Sequence, residues 1–307
     1  MIQEIDFHGW NALKLVTDQA ELIIPTDIGP RIVSCSLAGE ENLFACIGEH
    51  LGGRGESEFT VRGGHRLWHS PEHPQRTYQP DNSPVGVKHL DEGRGVILTQ
   101  NIEAATGIQK HMSVEIINPT SFRVYHRLTN HGFWPVELAP WALSVMRHDG
   151  YCVIPLPPKK PHAESLLPGM AIVPWAYTDF SLPIWDFHRD FIGIDTQHAG
   201  GSQKIGLTAF PGWVAYWTPA GTFVKYYQVL PGAVYPDLGC CFEAYTCEWM
   251  IELESLGPLS FLPAQGGFVE HVEYWGLIKG LPRPDSDKVF NEKFRPVIEH
   301  WLSHTRA

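Results

Sequence analysis

Period-two alternation of apolar and polar residues runs through most of the chain and constrains its fold more than any other feature. In SFRVYHRLTNH, residues 121–131, Phe122, Val124, His126 and Leu128 share one face; Arg123, Tyr125, Arg127 and Thr129 share the other. The turn Asn118-Pro119-Thr120-Ser121 joins this segment to HMSVEII, which reads as its hairpin partner. CEWMIELES places Trp249, Ile251 and Leu253 on one side, and Glu248, Met250, Glu252 and Glu254 on the other. Further short strands are expected in ELIIP, RIVSCSL, RGVILTQNIEAA, QKIGLTAF, WVAYWT, FVKYYQV and FVEHVEYWGLI, punctuated by Gly, Pro, Asn and Asp. Helical spacing is convincing only in SDKVFNEKFRPVIEHWLSH, where Phe290, Phe294, Val297, Ile298 and Trp301 recur behind a Ser/Asp start and Pro296 is placed to kink the helix. Strand after strand without interleaved helices predicts an antiparallel all-β sandwich. Residues 1–307 read as one domain, with a Pro- and aromatic-rich ordered insertion at 155–190 and a helical segment at 285–304.

Charge and composition narrow the partners. A formal charge of −11 without a Lys/Arg cluster argues against nucleic acid. No apolar run is long enough to span a membrane, and the amino terminus has no secretory pattern. Six cysteines without a C-x-x-C pair suit free thiols in a reducing cytoplasm. Eleven tryptophans, many beside polar groups, suit stacking on the C–H faces of a sugar.

The densest cluster of chemistry is VRGGHRLWHSPEHP, residues 61–74. His65, His69 and His73 are spaced four apart, but Pro71 and Pro74 forbid a regular helix there, and no H-E-x-x-H is present, so no metal site is expected. Arg66, Trp68, His69, Glu72, Tyr78, Asp81 and Asn82 instead interleave the cationic, anionic, amide and aromatic groups that a polyhydroxyl ligand requires. His131, at the end of a strand, has the chemistry of a general acid near neutral pH. Glu252 and Glu254 share a strand face, and a pocket there would raise the pKa of at least one of them toward that of a base. The sequence contains no G-x-S-x-G elbow, P-loop or dinucleotide fingerprint.

In that order along the chain, these segments resemble the galactose-mutarotase-like (aldose 1-epimerase-like) superfamily, a bacterial branch of it. IIPTDIGPRIVSCSLAGEENLF is similar to its opening strands, and VRGGHRLWHSPE to the Arg-Gly-Gly turn of its hexose-phosphate mutarotases. LTNHGFW resembles the motif whose histidine is the family's acid, which maps onto His131; IELESLGPLSFLPAQGG resembles the closing strands, whose base maps best onto Glu254. A second register leaves His65 or His69 as the acid, and Glu252 competes as the base. The resemblance implies an antiparallel β-supersandwich with a sugar site on one concave sheet face, formed by the polar faces of 122–131 and 248–254. It implies a cytoplasmic aldose mutarotase or related epimerase that needs no cofactor. Trp68, Trp141 or Trp213 would stack on the sugar; Arg66, Glu72, Asp81, Lys204, Lys225, Asp237 and Glu243 would contact its hydroxyls. Two alternatives remain at this point: a carbohydrate-binding protein without catalysis, and a lyase or hydrolase.

Overall fold

The computed structural model describes residues 1–305. Ten strands form one sheet, in the order Trp185–Phe187, Phe191–Asp195, Tyr151–Pro155, Trp213–Thr218, Gly221–Tyr227, Gly267–Ile278, Ser121–Asn130, Ile108–Asn118, Gly95–Thr99 and Gly86–His89. An eight-stranded sheet runs Ile172–Pro174, Gln203–Leu207, Phe242–Cys247, Met250–Leu256, Val136–Arg147, Gly64–Ser70 and Arg31–Ile32, with Ser260–Leu262 added to one end of Val136–Arg147. The amino-terminal strands form a separate four-stranded sheet. Pairing is antiparallel, as the alternation predicts, and Ser121–Asn130 pairs with Ile108–Asn118 across the expected turn.

The two large sheets pack face to face, and the main core lies between them. Phe122, Val124 and Leu128 enter it from one sheet, and Leu67, Ile251 and Leu253 from the other. The polar face of Ser121–Asn130, with Arg123, Tyr125 and Arg127, therefore looks away from the eight-stranded sheet. It does not join the face carrying Glu252 and Glu254, because the two strands lie in different sheets.

Ser286 caps the carboxy-terminal helix, accepting from the Val289 N–H at 3.3 Å. The helix continues through a π turn at Phe290–Phe294 into Arg295–Thr305. The wide turn lies directly before Pro296, which has no N–H to give to the residue four back, so the helix continues past the proline. Phe290, Phe294, Ile298 and Leu302 are buried against Tyr151, Val153, Trp213 and Val224 on the outer face of the ten-stranded sheet. At roughly 1.5–3 kcal/mol for each such side chain, this seam holds the helix in place. Residues 155–190 supply one strand to each large sheet, Ile172–Pro174 and Trp185–Phe187, and so tie their edges together. All six cysteines are free, and no described helix is long and apolar enough to cross a membrane.

One part of the core is polar. Lys225, fully buried, donates to Glu273 and to the Leu253 carbonyl, each at 2.9 Å. Trp275 Nε1 (2.8 Å) and the Ser255 hydroxyl also donate to Glu273. His126 Nδ1 lies 3.1 Å from the His271 carbonyl and must donate to it, leaving Nε2 as an acceptor. His65 Nε2, 2.8 Å away, donates to that nitrogen, and His65 Nδ1 accepts from Ser144 at 2.9 Å. Ser255 is 2.7 Å from His271 Nε2 and closes the network. Ligand atoms of His65, His126 and Glu273 lie within 4.8 Å of one another, as in a cation site, but the Lys225 ammonium already provides positive charge beside Glu273. This network places His65 and Lys225 between the sheets, so neither faces a ligand pocket.

Candidate functional site

The outer face of the eight-stranded sheet forms the floor of a cavity of about 660 Å³, within the range of small-molecule sites. Gly63 and Gly64 begin its Arg66-bearing strand with φ of 83° and 71°, and a Cβ on either would sit 2.0 and 2.3 Å from the Ala45 and Ile32 carbonyls. The two glycines of the sequence cluster thus permit a close backbone crossing. Beyond them, the pleat sends His65, Leu67 and His69 inward, and Arg66 and Trp68 toward the cavity.

Strand register arranges the floor in rows. In one row, Lys204, Tyr245 and Glu252 are successive cross-strand neighbours; in the next, Glu243, Glu254, Leu143 and Arg66 follow one another; in a third, Trp141 faces Trp68. Such neighbours have Cβ atoms roughly 4.5–5.5 Å apart. Arg66 Nη2 donates to Glu252 Oε1 at 2.9 Å, and its guanidinium lies 4.2 Å from the centre of the Trp68 ring. Arg66 Nε and Nη1 have no acceptor. Lys204 donates to Glu243 at 2.7 Å and to Glu254 at 2.9 Å, and its ammonium lies against the rings of Trp141 and Trp175. Trp141 Nε1 also donates to Glu254, at 2.7 Å. Tyr78 donates to Glu72 at the rim, and Phe59, Tyr177 and Trp249 complete the aromatic walls.

The buried Lys204 and its two carboxylates set the local electrostatics. Burial opposes the Lys204 charge, but Glu254 and Glu243 outweigh it and hold the ammonium firmly protonated. Burial raises the pKa of Glu243 well above the usual carboxylate range, and that of Glu254 less far, with Lys204 acting in the opposite direction. Each carboxyl has one buried oxygen without a partner, and the two residues are cross-strand neighbours. A single proton retained by the pair removes the excess negative charge. Burial also raises the Tyr245 pKa, so its hydroxyl, 2.8 Å from that of Ser202, stays protonated at neutral pH.

The structure brings together Arg66, Trp68, Glu72, Tyr78, Trp141, Lys204 and Glu252, with Glu243 and Glu254 directly behind Lys204. It does not bring the other expected residues there. His131 is exposed beyond its strand, 3.1 Å from Gln109 on the ten-stranded sheet, so it and Glu254 do not form an acid–base pair. His69 faces the interior, where burial lowers its pKa to about 4. Asp81 pairs with buried Arg31, and Asn82 bonds Arg62 and the 56–58 backbone. Trp213 packs under the carboxy-terminal helix, and Asp237 accepts from Ser70 at a turn of positive φ. Sequence reasoning missed Phe59, Tyr177, Tyr245 and Trp249 as wall residues. Tyr245 shares parity with Glu243 in FEAYTC, a signal that could have found it. The alternation places Trp249 on a strand face, but it lies in the two-residue turn that joins Phe242–Cys247 to Met250–Leu256.

No protein-family model matches the chain, and neither does any curated protein. Solved structures do match. A proposed aldose 1-epimerase from Klebsiella pneumoniae aligns over 100% of this chain and 87% of its own, with a TM-score of 0.57 at 10% identity. A galactose mutarotase-like protein from Lactobacillus casei aligns over 87% of this chain and 99% of its own, with a TM-score of 0.54 at 11% identity. A TPR-domain containing protein from Parabacteroides distasonis aligns over 89% of this chain, which spans about half (48%) of that longer protein, with a TM-score of 0.56 at 12% identity. The chain has the galactose mutarotase-like fold.

Proposed function

We propose that the chain acts on the anomeric centre of an aldose held in the aromatic pocket, as a mutarotase or related epimerase. The observation that carries this reading is the row Lys204–Tyr245–Glu252, a carboxylate beside a protonated phenol on one pocket-facing sheet surface. Glu252 removes the proton from the C1 hydroxyl while the Tyr245 hydroxyl protonates the ring oxygen as the C1–O bond breaks. The open aldehyde rotates about C1–C2, and closure returns both protons in the reverse sense. Burial raises the Tyr245 pKa and so keeps the proton on the phenol until the ring oxygen takes it. Glu243 and Glu254 act as positioning residues that hold Lys204. Arg66 lines the pocket with Nε and Nη1 free of any acceptor, and the exposed rings of Tyr78, Tyr177 and Trp249 offer faces for stacking.

Exchange between α and β anomers, followed by NMR, tests the assignment. Glu252→Gln is expected to lower the catalysed rate by about 10²–10⁴-fold, and Tyr245→Phe by about 10²-fold. His131→Ala is expected to leave the rate unchanged. Loss of exchange in His131→Ala, with Glu252→Gln still active, would reverse the assignment. Binding without any acceleration would leave a sugar-binding protein.

A further inference from the structure

Charge in the pocket bears on the kind of sugar it accepts. Its two cations, Arg66 and Lys204, are both committed to buried carboxylates: Arg66 to Glu252, and Lys204 to Glu243 and Glu254. Arg62 and Lys225 are buried elsewhere, on Glu56 and Glu273. Glu72 adds another carboxylate at the rim. Four carboxylates thus face two cations, and one shared proton still leaves the site negative. Among the described residues, an incoming phosphate or uronate would meet no pocket cation whose charge is not already paired with a carboxylate.

The walls favour the opposite charge. Aromatic ring faces attract cations, and the protein's own Arg66 and Lys204 already lie against Trp68 and Trp141 in this way. Arg66 takes only one oxygen of Glu252, a residue 7% exposed that lines the cavity, so Oε2 is left for a ligand donor. We infer that the pocket selects an amino sugar, its ammonium placed between the carboxylates of Glu252 and Glu72 and the surrounding ring faces. The inference rests on the carbohydrate reading above and specifies its substrate class. Protonated amine, not bulk at the same carbon, is the feature recognised, so acetylating the amine removes the preference.

Titration calorimetry with the intact protein decides this, using glucosamine, galactosamine and mannosamine, their N-acetyl forms, the parent neutral hexoses, and glucose 6-phosphate. At least one amino sugar is expected to bind about tenfold more tightly than both its N-acetyl and neutral counterparts. The phosphate is expected to bind more weakly than glucose. The preference is expected to shrink in Glu72→Gln and to fade as pH rises through the titration of the sugar's own amine. Neutral hexoses binding as tightly as every amino sugar, or glucose 6-phosphate binding best, would overturn this inference while leaving the carbohydrate reading in place. Binding of none of these sugars would overturn both.

Discussion

Lys225→Met is expected to destabilise the protein by about 3–5 kcal/mol, as removal of one partner from a buried ion pair does elsewhere. Lys225 and Glu273 are fully buried between the sheets. Without the ammonium, the Glu273 carboxylate keeps only the Trp275 and Ser255 donors, with no positive charge nearby. Burial alone would raise the Glu273 pKa; the Lys225 ammonium instead lowers it far below the carboxylate range. A loss of that size is a large part of the roughly 5–15 kcal/mol by which proteins are stable. For a chain of this length it corresponds to a fall in melting temperature on the order of 10 °C. Adding Glu273→Gln to the variant removes the stranded charge and is expected to restore most of the loss. A thermal melt that barely moves in Lys225→Met, or a double variant no more stable than the single, would contradict this account.

Acid is expected to loosen the same network. Burial lowers the pKa of His126 to about 4 and that of His271 to about 3, and holds His65 well below its ordinary value. The neutral forms are the ones that fit the bonding pattern, because His126 Nε2 accepts from His65. Unfolded histidines titrate near pH 6.5, so between that pH and about 4 the unfolded chain binds protons that the folded one refuses. The stabilisation is therefore fully present above pH 6.5 and is lost as pH falls toward 4. At 1.36 kcal/mol per unit, His126 alone accounts for about 3 kcal/mol. Urea midpoints measured from pH 7.5 to 4.5 should fall steeply below 6.5, and less steeply in His126→Phe. A flat profile across that window would show that the histidines do not stay neutral in the folded protein.

The same network explains where sequence reading succeeded and where it stopped. Alternation in residues 121–131 correctly grouped Phe122, Val124, His126 and Leu128, and these are the residues that are buried. It also grouped Glu252 with Glu254, and the carboxy-terminal helix followed from its own spacing. Local geometry fixes these features. A strand alternates whatever covers it, and a helical stripe needs only its own residues. In HRLWHS, the same rule separates His65, Leu67 and His69 from Arg66 and Trp68, but it cannot say which set meets the ligand.

Hydropathy is no guide to that choice here, because both sides of the eight-stranded sheet carry ionisable groups. One side meets the His126–His271–Glu273–Lys225 cluster of the opposing sheet; the other forms the pocket floor. Lys204 and Lys225 therefore looked equivalent, yet one lines the pocket and the other neutralises a carboxylate in the core. His131 looked like the acid, but its strand belongs to the other sheet. Sequence alone determined the strands, their two faces and the closing helix, since those depend on residues adjacent along the chain. Tertiary structure decided which face became a site, since that depends on what the fold lays against each face.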